Sequence, residues 1–283
     1  MISYLKNKMR IISADSHMQE VAQGTILAFL LKVSGSSLAF CFSIAIARLL
    51  GAEGAGLYFL ALSVTTIASV VGRVGLDNAL LKQVATYATH SEWHNVLAVH
   101  STGIRLAVIV SGSLSIIGFL AAGWMAEAVF NKPELMAPLR WMSLSILPFA
   151  LLNLQAQSLK GLKRIRDALL LQSIGVPLIG LVLIWPLAIG TGTGVLGAGW
   201  AYLAATSLIA LLGTGLWHRA TRESGRRVSK HKISDLWASA KSLYTIALMN
   251  SAISWLPLIL LGIWVSPEEI GVFGVASRIA LLV

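Results

Sequence analysis

Four basic side chains fall within long apolar segments or at their ends: Lys32, Arg73, Arg105 and Arg278. An ionisable group in hydrocarbon is costly, so it usually faces a bundle interior or a water-filled cavity. Cations with few acids nearby suit an anionic ligand such as phosphate or pyrophosphate. We predict that these residues contact an anionic headgroup. The alternative is that their long side chains reach back to the membrane interface.

Two other patterns resemble binding or catalytic motifs but lack an essential part. His90 and His94 have the spacing of a helical metal site, but Ser91 stands where zinc proteases need glutamate. The alternating glycines and threonines of 190–194 are not followed by the Gly-Lys-Ser/Thr of a phosphate loop. We therefore predict no enzymatic activity, no metal and no cofactor.

The composition predicts a polytopic helical membrane protein. Of the 283 residues, 56% are hydrophobic and 12% are charged, whereas a soluble domain carries about 25% charged residues. Apolar segments recur at about 20 residues, the length that a helix needs to cross a bilayer. We predict eight spans. They lie at Thr25–Ala47, Gly56–Gly72, Leu106–Trp124, Leu139–Leu159, Ala168–Ile189, Val195–Trp217, Leu243–Val265 and from Ile270 to the chain end. The last holds too few residues to cross.

Most basic residues fall in loops on one side of the predicted membrane spans. The formal net charge is +10, which in a soluble protein would suggest a nucleic-acid partner. If the N-terminus lies inside, the outer segments hold only Arg48, Lys132 and Arg140, and the other loop cations fall inside. Cytoplasmic loops carry the cationic excess, so we predict a cytoplasmic N-terminus. We expect anionic membrane lipids as partners and no nucleic acid.

A short sequence repeat suggests two lobes. Segments 50–61 and 265–276 share Glu53/Glu268, Gly56/Gly271 and Ala61/Ala276, and each joins two apolar segments. Transporters are often built from such repeats, with the substrate path between them. We predict a cytoplasmic segment 1–24, a six-helix lobe 25–217, a basic cytoplasmic linker 218–240 and the start of a second lobe in 241–283.

The residues around the first repeat copy resemble a known family. Ala47–Gly51 and Gly56–Tyr58, followed by Val74–Leu80, are similar to the start of the O-antigen and exopolysaccharide flippases (Wzx-type). These belong to the multidrug/oligosaccharidyl-lipid/polysaccharide (MOP) exporter superfamily. The resemblance implies an all-α, MATE-like bundle of two six-helix lobes around a central cavity. The chain would hold the first lobe and the first two helices of the second.

The resemblance also implies a function. Such proteins move polyprenyl-pyrophosphate-linked oligosaccharides across the cytoplasmic membrane during lipopolysaccharide, O-antigen or exopolysaccharide synthesis. The lipid-linked oligosaccharide would be the substrate, and the pathway's polymerase and glycosyltransferases would be partners. Two full lobes would need about 430 residues, twice the repeat spacing, so we expect the chain to be a C-terminally truncated fragment.

Two other functions remain open from the sequence. A cation-coupled multidrug exporter of the same fold usually needs a buried carboxylate, and no pair of carboxylates lies in any predicted span. A membrane-embedded glycan polymerase or glycosyltransferase usually has a large loop or an Asp-x-Asp motif. The chain carries no such motif, and its longest loops are short.

Overall fold

The computed structural model describes residues 16–222 and 233–280, and these are helical with no strand among them. Most of the predicted segment 1–24 and the centre of the predicted linker 218–240 lie outside the described residues. The helices are α1 (Ser16–Arg73), α2 (Leu76–Thr89), α3 (Trp93–Trp124), α4 (Met136–Ser143), α5 (Ile146–Gly161), α6 (Ile165–Leu169), α7 (Val176–Ile184), α8 (Val195–Ala220), α9 (Ile233–Trp264) and α10 (Pro267–Ala280).

Helix α1 folds back on itself at Gly51, so its two arms form a hairpin. Gly51 has φ 71° and ψ 179°, a combination that glycine adopts at little cost because it has no Cβ. The ring centroids of Phe42 and Tyr58 lie 6.3 Å apart across the hairpin. In a straight helix these residues would be separated by about 24 Å. The arms 16–50 and 52–73 therefore contain the first two predicted spans.

Helix α3 begins earlier than the predicted third span. It starts at Trp93 rather than Leu106, because the polar residues of its first turns lower the hydropathy without breaking the helix. One of them, His100, is buried and packs inside the bundle. Its Nδ1 lies 2.9 Å from the Ser158 hydroxyl, and its ring stacks on Trp217 with centroids 3.7 Å apart.

Several helices are long and apolar enough to cross a membrane. Within the described residues five helical segments meet this criterion, and α4 with α5 add a sixth if the bent pair is counted as one span. The first of the five, Gly24–Arg73, is the hairpin and so holds two of the predicted spans. The chain bends by 43° between helices α4 and α5. The described residues of α10, Pro267–Ala280, number 14, and a helix needs about 20 to cross.

The turns define two ends of the bundle. The Gly51 end carries Gly51, the turn 130–132, the turn 191–194 and Ser266, and the Gly161 end carries the turns 90–92 and 162–164. At the Gly51 end the two repeat copies pack directly on each other. A Cβ at Gly56 would overlap the carbonyl oxygen of Pro267, and a Cβ at Gly271 would overlap that of Ala52. The repeat glycines thus bring α10 against the second arm of α1.

Candidate anion-binding cavity

A cavity of about 420 Å³ lies between the α1 hairpin and helices α5, α7, α8, α9 and α10. Each arm of the hairpin contributes residues from one helical face. Ser36, Phe40 and Ser43 lie on the first arm, and Tyr58, Leu62 and Thr66 on the second. Spacings of three and four residues place side chains on the same side of a helix. One face of each arm therefore forms a wall of the cavity.

The wall combines aromatic rings with hydroxyl and amide groups. The aromatic residues include Phe40, Phe42, Tyr58, Phe149, Tyr202 and Trp255. Gln172 reaches the cavity from a π-helical turn, Leu170–Gly175, just before α7. The hydroxyl of Tyr58 is buried and has no hydrogen-bond partner within the described part of the chain. Buried polar groups are usually hydrogen-bonded, so this hydroxyl calls for a water or a ligand as its partner.

Arg278 is the one charged side chain among the described residues that line this cavity. It comes from α10, while its hydrogen bond and its ring contact are made with the α1 hairpin. Its Nη1 donates a hydrogen bond to the Ser43 hydroxyl, and its Cζ lies 4.2 Å from the centre of the Phe59 ring. Tyr58 and Tyr202 lie close enough to interact with the guanidinium electrostatically. Arg278 thus joins the second repeat copy to the first across the cavity.

The charge of Arg278 has no acidic counterpart at this site. No carboxylate lies within salt-bridge distance of the guanidinium among the side chains that the structure describes. A guanidinium has five N–H donors, and the hydrogen bond to Ser43 uses one. Arginine binds phosphate and carboxylate groups through two parallel hydrogen bonds. The cavity can therefore bind an oxyanion beside an aromatic wall.

Arg73, in contrast, is neutralised. Its Nη1 lies 3.0 Å from Oδ1 of Asp77, and each of the two side chains is 12% exposed. Burial raises the pKa of the Asp77 carboxyl, and the neighbouring Arg73 guanidinium opposes this shift. Helices α1 and α2 meet between these residues, where Val74 and Gly75 have positive φ. The pair holds this junction and does not line the cavity.

Lys32 and Arg105 lie on exposed surfaces. Lys32 is exposed on the first arm of α1, and Arg105 is exposed on α3 near Val108 and Ile109, which are 41% and 66% exposed. Neither lines the cavity around Arg278. Of the four predicted headgroup contacts, the structure places Arg278 in the cavity and the other three elsewhere.

The sequence reasoning missed the cavity residues that carry no charge. Ser43, Tyr58 and Tyr202 look like ordinary residues of apolar helices. Gln172 did give a signal, because it interrupts a leucine-rich segment with an amide. An uncharged polar residue within a membrane span usually hydrogen-bonds to another helix or lines a cavity.

These features define a multi-pass helical membrane protein with a largely aromatic cavity that holds one arginine and several hydroxyl groups. The model of the family described as "Polysaccharide biosynthesis protein" matches residues 21–283. The chain belongs to this family. No protein of curated function matches its sequence.

Solved structures of the MOP superfamily share the fold. An inward-facing multidrug resistance MATE family transporter superposes with a TM-score of 0.70 at 17% identity, over 91% of this chain and 61% of that one. The outward-facing form of a transporter of that family gives 0.65 at 15% identity, over 92% and 63%. The chain thus spans less than two thirds of their length.

A third structure is a MOP superfamily transporter from Pyrococcus furiosus Vc1, for which a reverse polarity of the binding pocket suggested a different function. Its TM-score is 0.67 at 14% identity, over 90% of this chain and 62% of that one. The expected MATE-like, all-α membrane fold and the resemblance to the MOP superfamily are confirmed. At these identities the structural likeness concerns the fold alone.

Proposed function

We propose that the protein flips a polyprenyl-pyrophosphate-linked oligosaccharide across the cytoplasmic membrane. One observation carries the proposal: the guanidinium of Arg278 lies in a cavity between the helices with aromatic and hydroxyl neighbours, and none of the described residues that line it is acidic. The pyrophosphate would bind Arg278, and the sugar would pack against the aromatic wall. The polyprenyl chain would stay in the lipid. Flipping makes and breaks no covalent bond, so the proposed function is transport and not catalysis.

The contact between the repeat copies suggests the direction of access. Because α10 packs closely on the second arm of α1 at the Gly51 end, the substrate would enter from the Gly161 end. That end carries Lys163, Arg164 and Arg166, and cytoplasmic loops are rich in such cations. The Gly161 end and the N-terminus would then face the cytoplasm, as the loop charges predict. Separation of the repeat copies would open the opposite end.

The family supports a role in polysaccharide biosynthesis, here proposed as O-antigen, lipopolysaccharide or exopolysaccharide export. The pathway's polymerase and glycosyltransferases would be its partners. A cation-coupled drug exporter of the same fold is the second candidate. It would need an acidic cavity, whereas the cavity lining in the described residues holds a cation and no acid. The charge of the site therefore favours an anionic substrate.

The direct test is charge removal at Arg278. The protein is reconstituted in liposomes with a fluorescent short-chain polyprenyl-pyrophosphate disaccharide, and its transbilayer movement is followed by quenching from outside. Loss of a charge-assisted hydrogen bond costs about 1.5–3 kcal/mol. We therefore expect Arg278→Gln to slow movement about tenfold or more, and Arg278→Lys to slow it less.

Arg48→Gln is the matched control, because Arg48 is exposed on the first arm of α1 and lies outside the cavity lining. It should move the substrate at the wild-type rate. Replacing Lys32, Arg73, Arg105 and Arg278 together with alanine tests the predicted wider site. If this fourfold variant flips the lipid as fast as the wild type, the proposal is wrong.

A further inference from the structure

Lys160 extends from the Gly161 end of α5 into the bundle. Its Nζ donates a hydrogen bond of 2.5 Å to Oε1 of Gln172. Gln172 in turn donates from Nε2 to Oδ1 of Asn153 at 3.2 Å, and Asn153 donates to the Phe149 carbonyl at 2.8 Å. Gln172 and Phe149 both line the cavity of Arg278. A chain of hydrogen bonds thus ties Lys160 to the cavity wall.

The backbone at Gln172 is adapted to this arrangement. Leu170–Gly175 forms a π-helical turn between α6 and α7. Such turns insert an extra residue in a helix, re-aim its side chains and occur often at functional sites. Here the turn lets Gln172 face Asn153 and Lys160 on α5 while it lines the cavity. Gln172 is therefore a positioning residue for the Lys160 ammonium.

The charge of Lys160 is not neutralised by a salt bridge within the described residues. Asp77 interacts with Lys160 electrostatically but forms no salt bridge with it, and its carboxylate is paired with Arg73 at 3.0 Å. Lys160 is half-buried, and an ammonium has three N–H donors, of which Gln172 receives one. A cation with free donors, held against the cavity residue Gln172, is suited to an oxyanion.

We propose that Lys160 and Gln172 form a second oxyanion-binding station, between the Gly161 end and Arg278. The ligand is a phosphate group of the lipid headgroup or a carboxylate of an acidic sugar. This inference rests on the proposed function: the headgroup would bind first near Lys160 and then pass to Arg278. Asn153 and Gln172 would offer amide groups to the sugar hydroxyls at the same level.

The test is equilibrium binding to the purified full chain in detergent, measured by titration calorimetry. Inorganic pyrophosphate and glucuronate are the two probes. We expect Lys160→Gln to weaken the binding of one or both probes about tenfold or more, as for loss of a charge-assisted hydrogen bond. Lys82→Gln is the control, since Lys82 is exposed on α2, and it should leave both affinities unchanged.

Gln172→Glu separates loss of the station from loss of the fold. A carboxylate at this position would pair with Lys160 and occupy its donors. The Gln172→Glu variant should bind pyrophosphate, glucuronate or both at least tenfold more weakly than the wild type. Its melting temperature should stay at or above the wild-type value. A structural role for Gln172 would instead lower the melting temperature and leave the affinity of the folded fraction intact.

The outcomes distinguish the two proposals. Loss of pyrophosphate affinity in both variants supports a headgroup station, and loss confined to glucuronate supports an acidic-sugar station. If both variants bind both probes like the wild type while Arg278→Gln does not, the Lys160 station is wrong and the Arg278 site stands. If the wild type binds neither probe, both proposals are contradicted.

Discussion

Among single residues, Arg278 and Arg73 differ in their surroundings: Arg278 lines the cavity, whereas Arg73 is paired with Asp77. Placing an arginine at the centre of a membrane costs about 2.5–3.5 kcal/mol. A cation–π contact such as that of Arg278 with Phe59 contributes about 0.5–2 kcal/mol of favourable free energy. Arg73 instead has a carboxylate partner in Asp77. We infer that an arriving oxyanion stabilises Arg278 much as Asp77 stabilises Arg73.

The pairing of Arg73 predicts a stability effect without a direct effect on the cavity. Asp77→Asn removes the carboxylate and leaves the buried guanidinium without its charged partner. We expect a loss of about 1.5–3 kcal/mol in the free energy of unfolding, measured by denaturant titration in mixed micelles.

The double variant Arg73→Met/Asp77→Leu is the control. Replacing both members of a buried ion pair with apolar residues is often neutral or stabilising, so it should recover most of the lost stability. An Asp77→Asn protein as stable as the wild type would show that the ion pair does not hold the junction of α1 and α2.

The positions of these charged residues could be predicted from the sequence to different extents. Arg278 stands out because it is a lone charge in an apolar segment. Asp77 follows Arg73 by four residues, but Val74 and Gly75 between them have positive φ. Helical spacing therefore did not establish that the two side chains meet. Lys160 looked like a loop cation, because its direction depends on where the π-helical turn places Gln172.

At the scale of elements, the repeat glycines determine how closely α10 approaches the second arm of α1. Gly56 and Gly271 face each other so closely that a Cβ on either would overlap the backbone of the other element. Small residues allow such close helix contacts in membranes, where packing rather than hydrophobicity drives association. At the same end, Lys132 connects the turn 130–132 to α9, because its Nζ donates a hydrogen bond to the Gly262 carbonyl at 2.7 Å.

This packing predicts that side chains at the glycine pair are not tolerated in this conformation. Gly56→Val or Gly271→Val should separate α10 from α1 and cost about 1–3 kcal/mol, as for overpacking in a core. Thermal unfolding in detergent measures the loss. Gly112→Val is the matched control, because a Cβ at Gly112 would meet no atom within 4 Å. Equal stability of Gly56→Val and Gly112→Val would contradict the close contact.

Hydropathy predicts the ends of a helix correctly where the helix is apolar along its whole length. The hairpin of α1 was predictable as two spans, because Gly51 and Gly54 interrupt two apolar segments. The early start of α3 was not, because His100 is buried through a hydrogen bond to Ser158 and a stack on Trp217. These partners come from α5 and α8, and a local hydropathy pattern contains no information about them.

In the whole molecule, the helices form a bundle with the fold of solved MOP superfamily transporters, and its cavity holds the side chain of Arg278. The chain belongs to the polysaccharide biosynthesis protein family. The repeat in the sequence indicated two related helix pairs, but it could not show that their glycines meet. The direct contact at the Gly51 end, with Arg278 extending from α10 to Ser43, connects the repeat to the cavity.

The most direct measurement compares two lipids in the same proteoliposomes. One carries a fluorescent disaccharide on a short polyprenyl chain through a pyrophosphate, and the other carries the same disaccharide through an uncharged linkage. We expect the wild-type protein to move the pyrophosphate lipid at least tenfold faster than the uncharged one, because only the former can form the charge-assisted contact. Equal rates for the two lipids would contradict recognition of the headgroup by Arg278.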